Sequence, residues 1–328
     1  MTEKNVVIAL HDALREEMER DELVVVIGQD VGARGGVFRV TDGFVERFGD
    51  RRVIDAPIAE NLIVGAAVGM ALNGLRPVAE IEFADFIHPA FDQILSEVAR
   101  MRYRSNGDFG LPLVIRAPWG GGVHGGLYHS QSIEAFYAHI PGIKVVIPST
   151  PADAAGLLRA AIADPDPVLF LEHKRTYRLV KGEVPDGAPH VPIGPAAVAR
   201  PGEDLSVYAY GLMLHHCLEA AERLAVEDGF TAEVVDLRTL QPLDRATVVA
   251  SARKTGKAMV VHEDNRTFGA GAEIAALIAE EAFFDLDAPP VRLAGPDTPA
   301  MPFATGLEHA FLLDAERIYT RMRELARF

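Results

Sequence analysis

The stretch that decides the fold is DAPIAENLIVGAAVGMALNGLRPVAEIEF, residues 55–83. It opens at the end of a short apolar run and leads into Asn61–Asn73, where small glycine and alanine side chains recur at helical spacing. Such a pattern predicts a helix that packs closely against its neighbours. Val78–Phe83 then predicts a strand. A strand, a helix and a second strand in succession predict a parallel β–α–β unit.

The same alternation continues on both sides of this stretch. Helices are predicted at Val6–Arg20, Pro89–Arg102 and Pro151–Ala163, and strands at Leu23–Ile27, Leu113–Arg116, Val145–Pro148 and Val168–Glu172. Residues 176–204 lose this rhythm and are rich in proline and glycine, which predicts a linker.

A second α/β unit follows the linker. Its predicted strands are Leu205–Tyr208, Ala232–Asp236, Ala258–His262 and Val291–Leu293, and its predicted helices are His215–Glu227, Asp244–Lys254, Ala270–Glu281 and Asp314–Arg327. We therefore predict an α/β protein with domains at 1–175 and 205–328, and a mostly parallel sheet in the second.

The composition of the chain argues against several classes of function. The net charge of −15 argues against nonspecific binding to nucleic acid or to an anionic membrane, because both would repel the chain. There is a single cysteine, Cys217, which excludes an internal disulfide and is predicted to be a small core or semi-buried residue. No apolar run approaches the roughly 20 residues that span a bilayer, and residues 1–4 show no signal-like pattern. We expect a cytoplasmic protein.

Glu60 lies where a strand joins the small-residue helix. A carboxylate in the first turn is favoured by the helix dipole alone, which is the plainest interpretation of this position. Ile58, Leu62 and Ile63 are close in sequence. Burial among them would raise the pKa of the Glu60 carboxyl and make it a candidate for hydrogen bonding in its protonated form.

The segment Glu82–Pro89 follows a strand at its carboxyl end, where ligand sites form in open α/β sheets. Phe86 is either a core residue or a platform for a flat ring. His88 is interpreted as a surface histidine.

A glycine-rich loop runs from Ala117 to Gly126 and carries five glycines and the only tryptophan. Such loops are costly to order and usually serve close backbone approach or motion. His129 is the better candidate for proton transfer than His124, because Ser130–Ser132 resembles a helix N-cap that would fix its position.

Other functional motifs are absent or weak. There is no Walker A sequence, no Gly-x-Ser-x-Gly elbow and no complete Gly-x-Gly-x-x-Gly fingerprint, which argues against a nicotinamide dehydrogenase. His262-Glu263-Asp264 ends a strand and is interpreted as a solvated strand end rather than a cation site.

Several segments in order resemble the β subunit of the decarboxylating first component of 2-oxoacid dehydrogenase complexes. They are Ile27-Gly-Gln-Asp-Val31, Gly35-Gly-Val-Phe-Arg-Val-Thr-Asp-Gly43, Asp55-Ala-Pro-Ile-Ala-Glu60, Arg102-Tyr-Arg-Ser105, Gly120-Gly-Gly-Val123, His129-Ser-Gln-Ser132, Leu171-Glu-His-Lys174 and Val235-Asp-Leu-Arg-Thr239. The resemblance runs from Val6 to the C-terminus. It implies a transketolase-like fold, with a pyrimidine-binding domain followed by a C-terminal α/β domain.

The resemblance also implies roles for four residues around thiamine diphosphate. Glu60 matches the carboxyl that hydrogen-bonds the aminopyrimidine ring and favours its imino tautomer, so that the cofactor can serve as an electron sink. Phe86 matches the aromatic that stacks on that ring, and Glu82 lies where many branched-chain members have glutamine. His129 matches the histidine implicated in reductive acylation of the lipoyl group.

Cations and partners are implied in the same way. Mg²⁺ and the diphosphate would be held mainly by an α subunit, because the Gly-Asp-Gly…Asn motif is missing here. The expected assembly is an α2β2 heterotetramer that also binds the subunit-binding and lipoyl domains of a dihydrolipoyl acyltransferase. A K⁺ site maps loosely onto Leu113, Ala161, Ile162, Asp164 and Asp166.

The sequence leaves the identity of the 2-oxoacid substrate open. A branched-chain 2-oxoacid is favoured, and pyruvate dehydrogenase and acetoin dehydrogenase share the same frame. His88 departs from the bulky apolar residue that related chains place there, so it would alter substrate preference if it reaches the pocket. Two different functions also remain open, namely a self-sufficient transketolase-like enzyme and a non-catalytic assembly subunit that docks the acyltransferase.

Overall fold

The computed structural model describes residues 1–328 and divides into two compact units. The first unit comprises Met1–Trp119 with Phe136–Ile193, and the second comprises Gly120–Ala135 with Gly194–Phe328. The glycine-rich loop from Gly120 onward therefore belongs to the second unit, although it interrupts the first unit in sequence. His129 also belongs to the second unit.

The first unit is built from alternating strands and helices. Its strands are β1 (Thr2–Asn5), β2 (Val24–Gly28), β3 (Val53–Asp55), β4 (Arg76–Glu80), β5 (Val114–Trp119), β6 (Lys144–Val146), β7 (Val168–His173) and β8 (Lys181–Val184). Its helices are α1 (Val6–Arg20), α2 (Phe44–Phe48), α3 (Glu60–Leu72), α4 (Met101–Arg104), α6 (Pro151–Ala163) and α7 (Thr176–Leu179), while α5 (Glu134–Ala138) begins in the second unit.

Six of these strands lie side by side in the order β6–β7–β5–β4–β2–β3, and every pair is parallel. The carboxyl ends therefore meet at one edge of the sheet, where Gly28 pairs with Glu80 and Glu80 with Arg116. Helices α1 and α6 cover one face, and Leu10, Leu14 and Phe170 are among the side chains of that core. Burial of such apolar surface supplies most of the driving force for folding.

One predicted helix is interrupted. Instead of a continuous helix over Pro89–Arg102, the chain forms a 3₁₀ turn at His88–Ala90, a π-helical turn at Gln93–Val98 and then α4. The Ala99 N–H donates to the Ile94 carbonyl, five residues back, which is the π-helical pattern. Gly142 packs directly against the Ala99 carbonyl at this point, a contact that leaves no room for a Cβ atom.

The second unit is a smaller α/β layer. Its elements are β9 (Ala197–Arg200), β10 (Leu205–Ala209), α8 (Leu212–Asp228), β11 (Ala232–Asp236), β12 (Thr239–Gln241), α9 (Arg245–Thr255), β13 (Ala258–Asn265), α10 (Ala270–Glu281), β14 (Val291–Gly295), α11 (Thr305–Phe311) and α12 (Ala315–Ala326). Five of its strands lie in the order β14–β13–β10–β11–β9, and only β9 is antiparallel. The prediction of a mostly parallel sheet is confirmed.

The segment predicted as a linker, residues 176–204, contributes to both units. Strand β8 pairs with β1 in the first unit, and β9 pairs with β11 in the second. Cys217 is fully buried on α8, as predicted for a small core residue, and burial raises the pKa of its thiol. None of the helices combines the length and the hydropathy needed to cross a bilayer.

Candidate active site

Glu60 is the first residue of α3, so its carboxylate lies at the positive end of the helix dipole. The apolar enclosure expected from its sequence neighbours is not present in the chain alone. Ile58 is 76% exposed and Leu62 is 52% exposed, while Ile63 and Val64 turn inward to the core. Glu60 itself is half-buried, because the helix turns it away from that core.

Glu82 lies just beyond the end of β4 and shares its surroundings with several acids. Burial raises the pKa of its carboxyl, and the negative charges of Asp30, Glu80 and Glu60 raise it further, while Arg34 opposes them. Glu60 and Glu82 are therefore close enough to interact electrostatically. An open cavity of about 640 Å³ adjoins Glu82 and is lined by Gln29, Asp30, Arg34, Gly36, Val37, Arg39 and Glu82, a volume within the usual range for small-molecule sites.

Phe86 ends a single 3₁₀ turn, Ala84–Phe86, and is half-buried. Its ring meets the ring of Phe83 edge to face, with centroids 6.0 Å apart. It is thus neither a fully buried core residue nor a solvated one. A half-exposed ring held by another aromatic is suited to stacking on a flat ligand.

His88 follows in the next turn and lies at the surface, as predicted, but aromatic neighbours cover part of its ring. Its ring lies parallel to that of Tyr137 at 6.3 Å and edge-on to Phe136 at 5.6 Å. Its Nδ1 lies 3.4 Å from the Tyr137 hydroxyl, and partial burial lowers the pKa of the imidazole.

A buried ion network lies under this edge of the sheet. The Arg116 guanidinium on β5 binds both carboxylate oxygens of Glu172 on β7, at 2.7 and 2.8 Å, and also Glu80 on β4, at 2.7 Å. The Tyr177 hydroxyl donates to Glu172 at 2.5 Å. Burial by itself lowers the pKa of Arg116, but the two carboxylates outweigh it and raise that pKa overall, so the guanidinium stays charged.

His129 is half-buried at the end of the glycine-rich loop in the second unit. The Gly120 N–H donates to the Gln131 carbonyl at 3.0 Å and closes the loop, and the Gln131 amide donates to the Leu127 carbonyl at 2.8 Å. The predicted N-cap is wrong, because α5 begins only at Glu134. The Ser132 hydroxyl instead donates to Glu263 at 3.2 Å.

The residues matched to a K⁺ site lie on neighbouring segments of the first unit, and each already has a partner. The Ile162 carbonyl accepts from Arg76 at 2.9 Å, the Leu113 carbonyl from the Val168 N–H, and the Ala161 carbonyl from the Asp164 N–H. Lys144 binds both Asp164 oxygens, at 2.6 and 2.5 Å, and Arg102 pairs with Asp166. No group of three or more His, Cys, Asp or Glu side chains suited to a metal ion occurs.

The interpretation of His262-Glu263-Asp264 as a solvated strand end is wrong. All three side chains are buried at the end of β13, and burial lowers the pKa of His262 to about 4 and raises that of Asp264 to about 6. Their polarity suggested solvent, but close contacts with Gly269 and Gly271 enclose the His262 ring.

Comparison with known proteins gives the family. Residues 3–180 match the pyrimidine binding domain of transketolase, and residues 194–318 match the transketolase C-terminal domain. The chain is 56% identical to the 2-oxoisovalerate dehydrogenase subunit beta of Bacillus subtilis, over 98% of both chains. The chain belongs to the family of 2-oxoacid dehydrogenase β subunits. This membership implies thiamine diphosphate as the cofactor.

Further relatives in this family include both substrate types. The pyruvate dehydrogenase E1 component subunit beta of Acholeplasma laidlawii is 48% identical over 97% of both chains. A 2-oxoisovalerate dehydrogenase subunit beta from Pseudomonas aeruginosa is 48% identical over 91% of this chain and 89% of its own. A solved structure, a split gene transketolase described as an inactive beta4 tetramer, matches 98% of both chains with a TM-score of 0.79 and 25% identity. The predicted family and the transketolase-like fold are confirmed.

The sequence motifs did not predict three buried residues that hold neighbouring segments in place, Arg116, Glu172 and Glu308. Arg116 and Glu172 sit in strands whose patterns are otherwise apolar, and a charged residue inside a buried parallel strand was the available signal. Glu308 offered no comparable signal, because its helix has only seven residues and its partners lie far away in the sequence.

Proposed function

We propose that this chain is the β subunit of a thiamine-diphosphate-dependent 2-oxoacid dehydrogenase that acts on branched-chain 2-oxoacids in the cytoplasm. The observation that carries the proposal is the 56% identity to a 2-oxoisovalerate dehydrogenase subunit beta over nearly the whole of both chains. The overall reaction is oxidative decarboxylation of the 2-oxoacid, followed by reductive acylation of a lipoyl group on a dihydrolipoyl acyltransferase.

Three residues of the first unit would hold the pyrimidine end of the cofactor, and their chemistry fits that group. Glu60 would donate or share a proton with a ring nitrogen from the start of α3, where its carboxyl is accessible. Phe86 would stack on the ring with its exposed face, and Glu82, whose carboxyl has a raised pKa, would add a hydrogen bond. The bound cofactor supplies an electron sink for decarboxylation.

The apolar surface beside Glu60 supports a site shared with a second subunit. Ile58 and Leu62 are both large, apolar and exposed on either side of the carboxylate. An α subunit packed on them would enclose Glu60 and provide the low-dielectric surroundings that catalysis by a carboxyl group needs. We propose that this α subunit holds the diphosphate and Mg²⁺ in an α2β2 assembly.

The reaction has two half-reactions, decarboxylation and reductive acylation of the lipoyl group. His129 would serve the second, in which a proton moves during transfer of the acyl group to the lipoyl sulfur. It is half-buried and lies next to Leu127 and Tyr128, which are exposed apolar side chains. The lipoyl and subunit-binding domains of the acyltransferase would be its partners.

The role of Glu60 is tested by Glu60→Gln in the assembled α–β enzyme. We expect a fall of at least about 100-fold in decarboxylation, measured with an artificial electron acceptor. Glu273→Gln is the matched control, because Glu273 is an exposed acid in the first turn of α10. Equal activity in the two variants would reduce Glu60 to a helix-stabilising carboxylate.

The substrate is tested by turnover of the assembled enzyme with 3-methyl-2-oxobutanoate and with pyruvate. We expect the larger kcat/KM with the branched substrate. A larger value with pyruvate would favour a pyruvate dehydrogenase, the class to which the 48% identical relative belongs.

We propose a structural K⁺ as a further component, held by the carbonyl oxygens of Leu113, Ala161 and Ile162. Each of these oxygens accepts one hydrogen bond and keeps a second lone pair, while Lys144 and Arg102 already balance the charges of Asp164 and Asp166. The measurement is the Tm of the enzyme in KCl against choline chloride. Equal values would remove K⁺ from the proposal.

A further inference from the structure

Glu263 touches both ends of the loop that carries His129. This segment, residues 120–132, is called the His129 loop below. The Glu263 carboxylate at the end of β13 is buried, and its Oε1 accepts the Gly121 N–H at 2.6 Å and the Ser132 hydroxyl at 3.2 Å. One oxygen therefore ties the beginning of the loop to its end.

Glu308 binds the same loop at its middle. It is fully buried on α11, and its Oε1 accepts the N–H groups of Gly122 and His124, both at 3.1 Å. Its second oxygen lies 2.5 Å from the His124 ring nitrogen Nδ1. Hydrogen bonds from backbone N–H groups to a buried carboxylate are among the stronger ones in proteins, so these contacts define the path of the backbone.

The loop has a conformation that needs such support. Gly120, Gly122 and Gly126 have positive φ angles, and so does His124, which is not a glycine. A backbone of this kind persists only where its surroundings hold it. Side chains just before α11 also close over it, since a Cβ atom at Gly121 would lie 2.5 Å from the Met301 methyl group and one at Gly126 would lie 3.2 Å from the Phe303 ring.

We propose that Glu263 and Glu308 are positioning residues for His129. They fix the His129 loop through its backbone, and Gly125, which packs against the Cβ of His129, transmits that order to the imidazole. A displacement of about 1 Å at a reacting group can lower a rate by about 100-fold. This inference rests on the proposed role of His129 in acyl transfer to the lipoyl group.

The test uses the assembled α–β enzyme with Glu308→Ala, Glu308→Gln and Glu263→Gln. Glu233→Gln is the matched control, because Glu233 is also buried in the second unit but binds Ser251 and Lys254, away from the loop. The first readout is hydrogen exchange of the amides in residues 120–132. Glu308→Ala should speed it by at least about tenfold relative to the control, and Glu308→Gln, which keeps an acceptor oxygen, should fall in between.

The second readout separates the two half-reactions. Glu308→Ala should lower kcat for acylation of a free lipoyl domain by at least about tenfold, while decarboxylation with an artificial acceptor and the KM for the 2-oxoacid stay within about twofold. In a His129→Ala background the same change should have no further effect on acylation.

Three outcomes would overturn the proposal. Unchanged exchange in the loop would show that the carboxylates do not hold it. Equal losses in both half-reactions would indicate general structural damage, and additive losses in the double variant would show that they do not act through His129. The proposed function fails separately, if His129→Ala alone leaves acylation intact while Glu308→Ala still loosens the loop.

Discussion

The two units bury clusters of carboxylates in different ways. In the first unit, Glu80 and Glu172 are both bound by the Arg116 guanidinium, a permanent cation whose single positive charge offsets one of their two negative charges. In the second, burial raises the pKa of Glu134 well above its ordinary range, and the charges of Asp264 and Glu263 add to this effect. The Tyr210 hydroxyl donates to Glu134 at 2.9 Å. The first cluster is held by an arginine, whereas in the second burial and neighbouring carboxylates raise the pKa values of Glu134 and Asp264.

This difference indicates whether the stability of each unit is more sensitive to substitution of one side chain or to pH. A cluster built on a guanidinium depends on that one side chain and little on pH near neutrality, because arginine does not titrate there. A cluster of carboxyls with raised pKa values tolerates neutral substitutions better and responds to pH. Four predictions separate these behaviours, starting with the largest effect.

Arg116→Met should destabilise the protein by about 3–5 kcal/mol, because it leaves two buried carboxylates without their cation. The free energy of unfolding in urea is the measurement. Arg321→Met, which removes one side of an exposed ion pair with Glu324, is the control and should cost less than about 1 kcal/mol. Adding Glu80→Gln and Glu172→Gln to Arg116→Met should recover part of the loss. If it recovers none, the charges are not the cause.

His262 should make the second unit sensitive to acid. Its pKa is about 4 in the folded protein against an ordinary 6.5, so the unfolded chain binds the proton first and stability falls as pH drops from 6.5 to 4, by about 3 kcal/mol. Asp264 opposes this. Its pKa is raised from 3.8 to about 6, so its contribution is present below pH 3.8 and is lost as pH rises through 6.

A substitution at His262 removes its contribution to the pH dependence of stability and leaves that of Asp264. His262→Gln should therefore gain stability relative to the wild type by about 3 kcal/mol between pH 7 and pH 4, measured as the change in urea midpoint. His190→Gln, at an exposed position, serves as the control. A variant with the same pH profile as the wild type would show that His262 is not buried in its neutral form.

Glu172→Gln should cost about 2 kcal/mol, since the amide keeps the shape of the side chain but loses the charge that faces Arg116. The free energy of unfolding at pH 7 is compared with that of the wild type. A neutral result would mean that Glu80 alone satisfies the guanidinium.

Glu134→Gln makes the same chemical change in the second unit and should have the smallest effect. The amide lacks the charge that burial disfavours and can still accept from Tyr210, so the expected change is within about 1 kcal/mol at pH 7. Because the raised pKa costs stability as pH rises, the variant should gain on the wild type toward pH 8. A loss above 2 kcal/mol would show that Glu134 is ionised.

The sequence predicted most of the elements, because apolar periodicity is a local property of the chain. Helices α1, α6 and α10 and strand β11 have the predicted bounds. The predicted helix over 89–102 is wrong, since it is interrupted at a π-helical turn, beside which Gly142 packs from more than forty residues away.

The candidate site shows the same distinction between features set by local sequence and features set by distant residues. Glu60 could be placed at a helix start from its own neighbours, but its accessibility depends on which faces of α3 are covered. Glu263 was misassigned because three consecutive polar residues suggest solvent, whereas their burial is decided by glycines that allow close packing. Glu308 could not be found from sequence, since its hydrogen bonds span 184 and 186 residues.

Those long spans also constrain how the protein is made. The loop that presents His129 is complete in the nascent chain long before Glu308 has been added, 186 residues after Gly122. At roughly 5–20 residues per second, synthesis leaves an interval of about 10–40 seconds in which the loop exists without its anchor. During that time its backbone conformation is unsupported, and closing so long a span costs entropy. The His129 loop therefore acquires this anchor late, and a ribosome that stops before residue 308 releases a chain whose first unit is complete but whose His129 loop lacks Glu308.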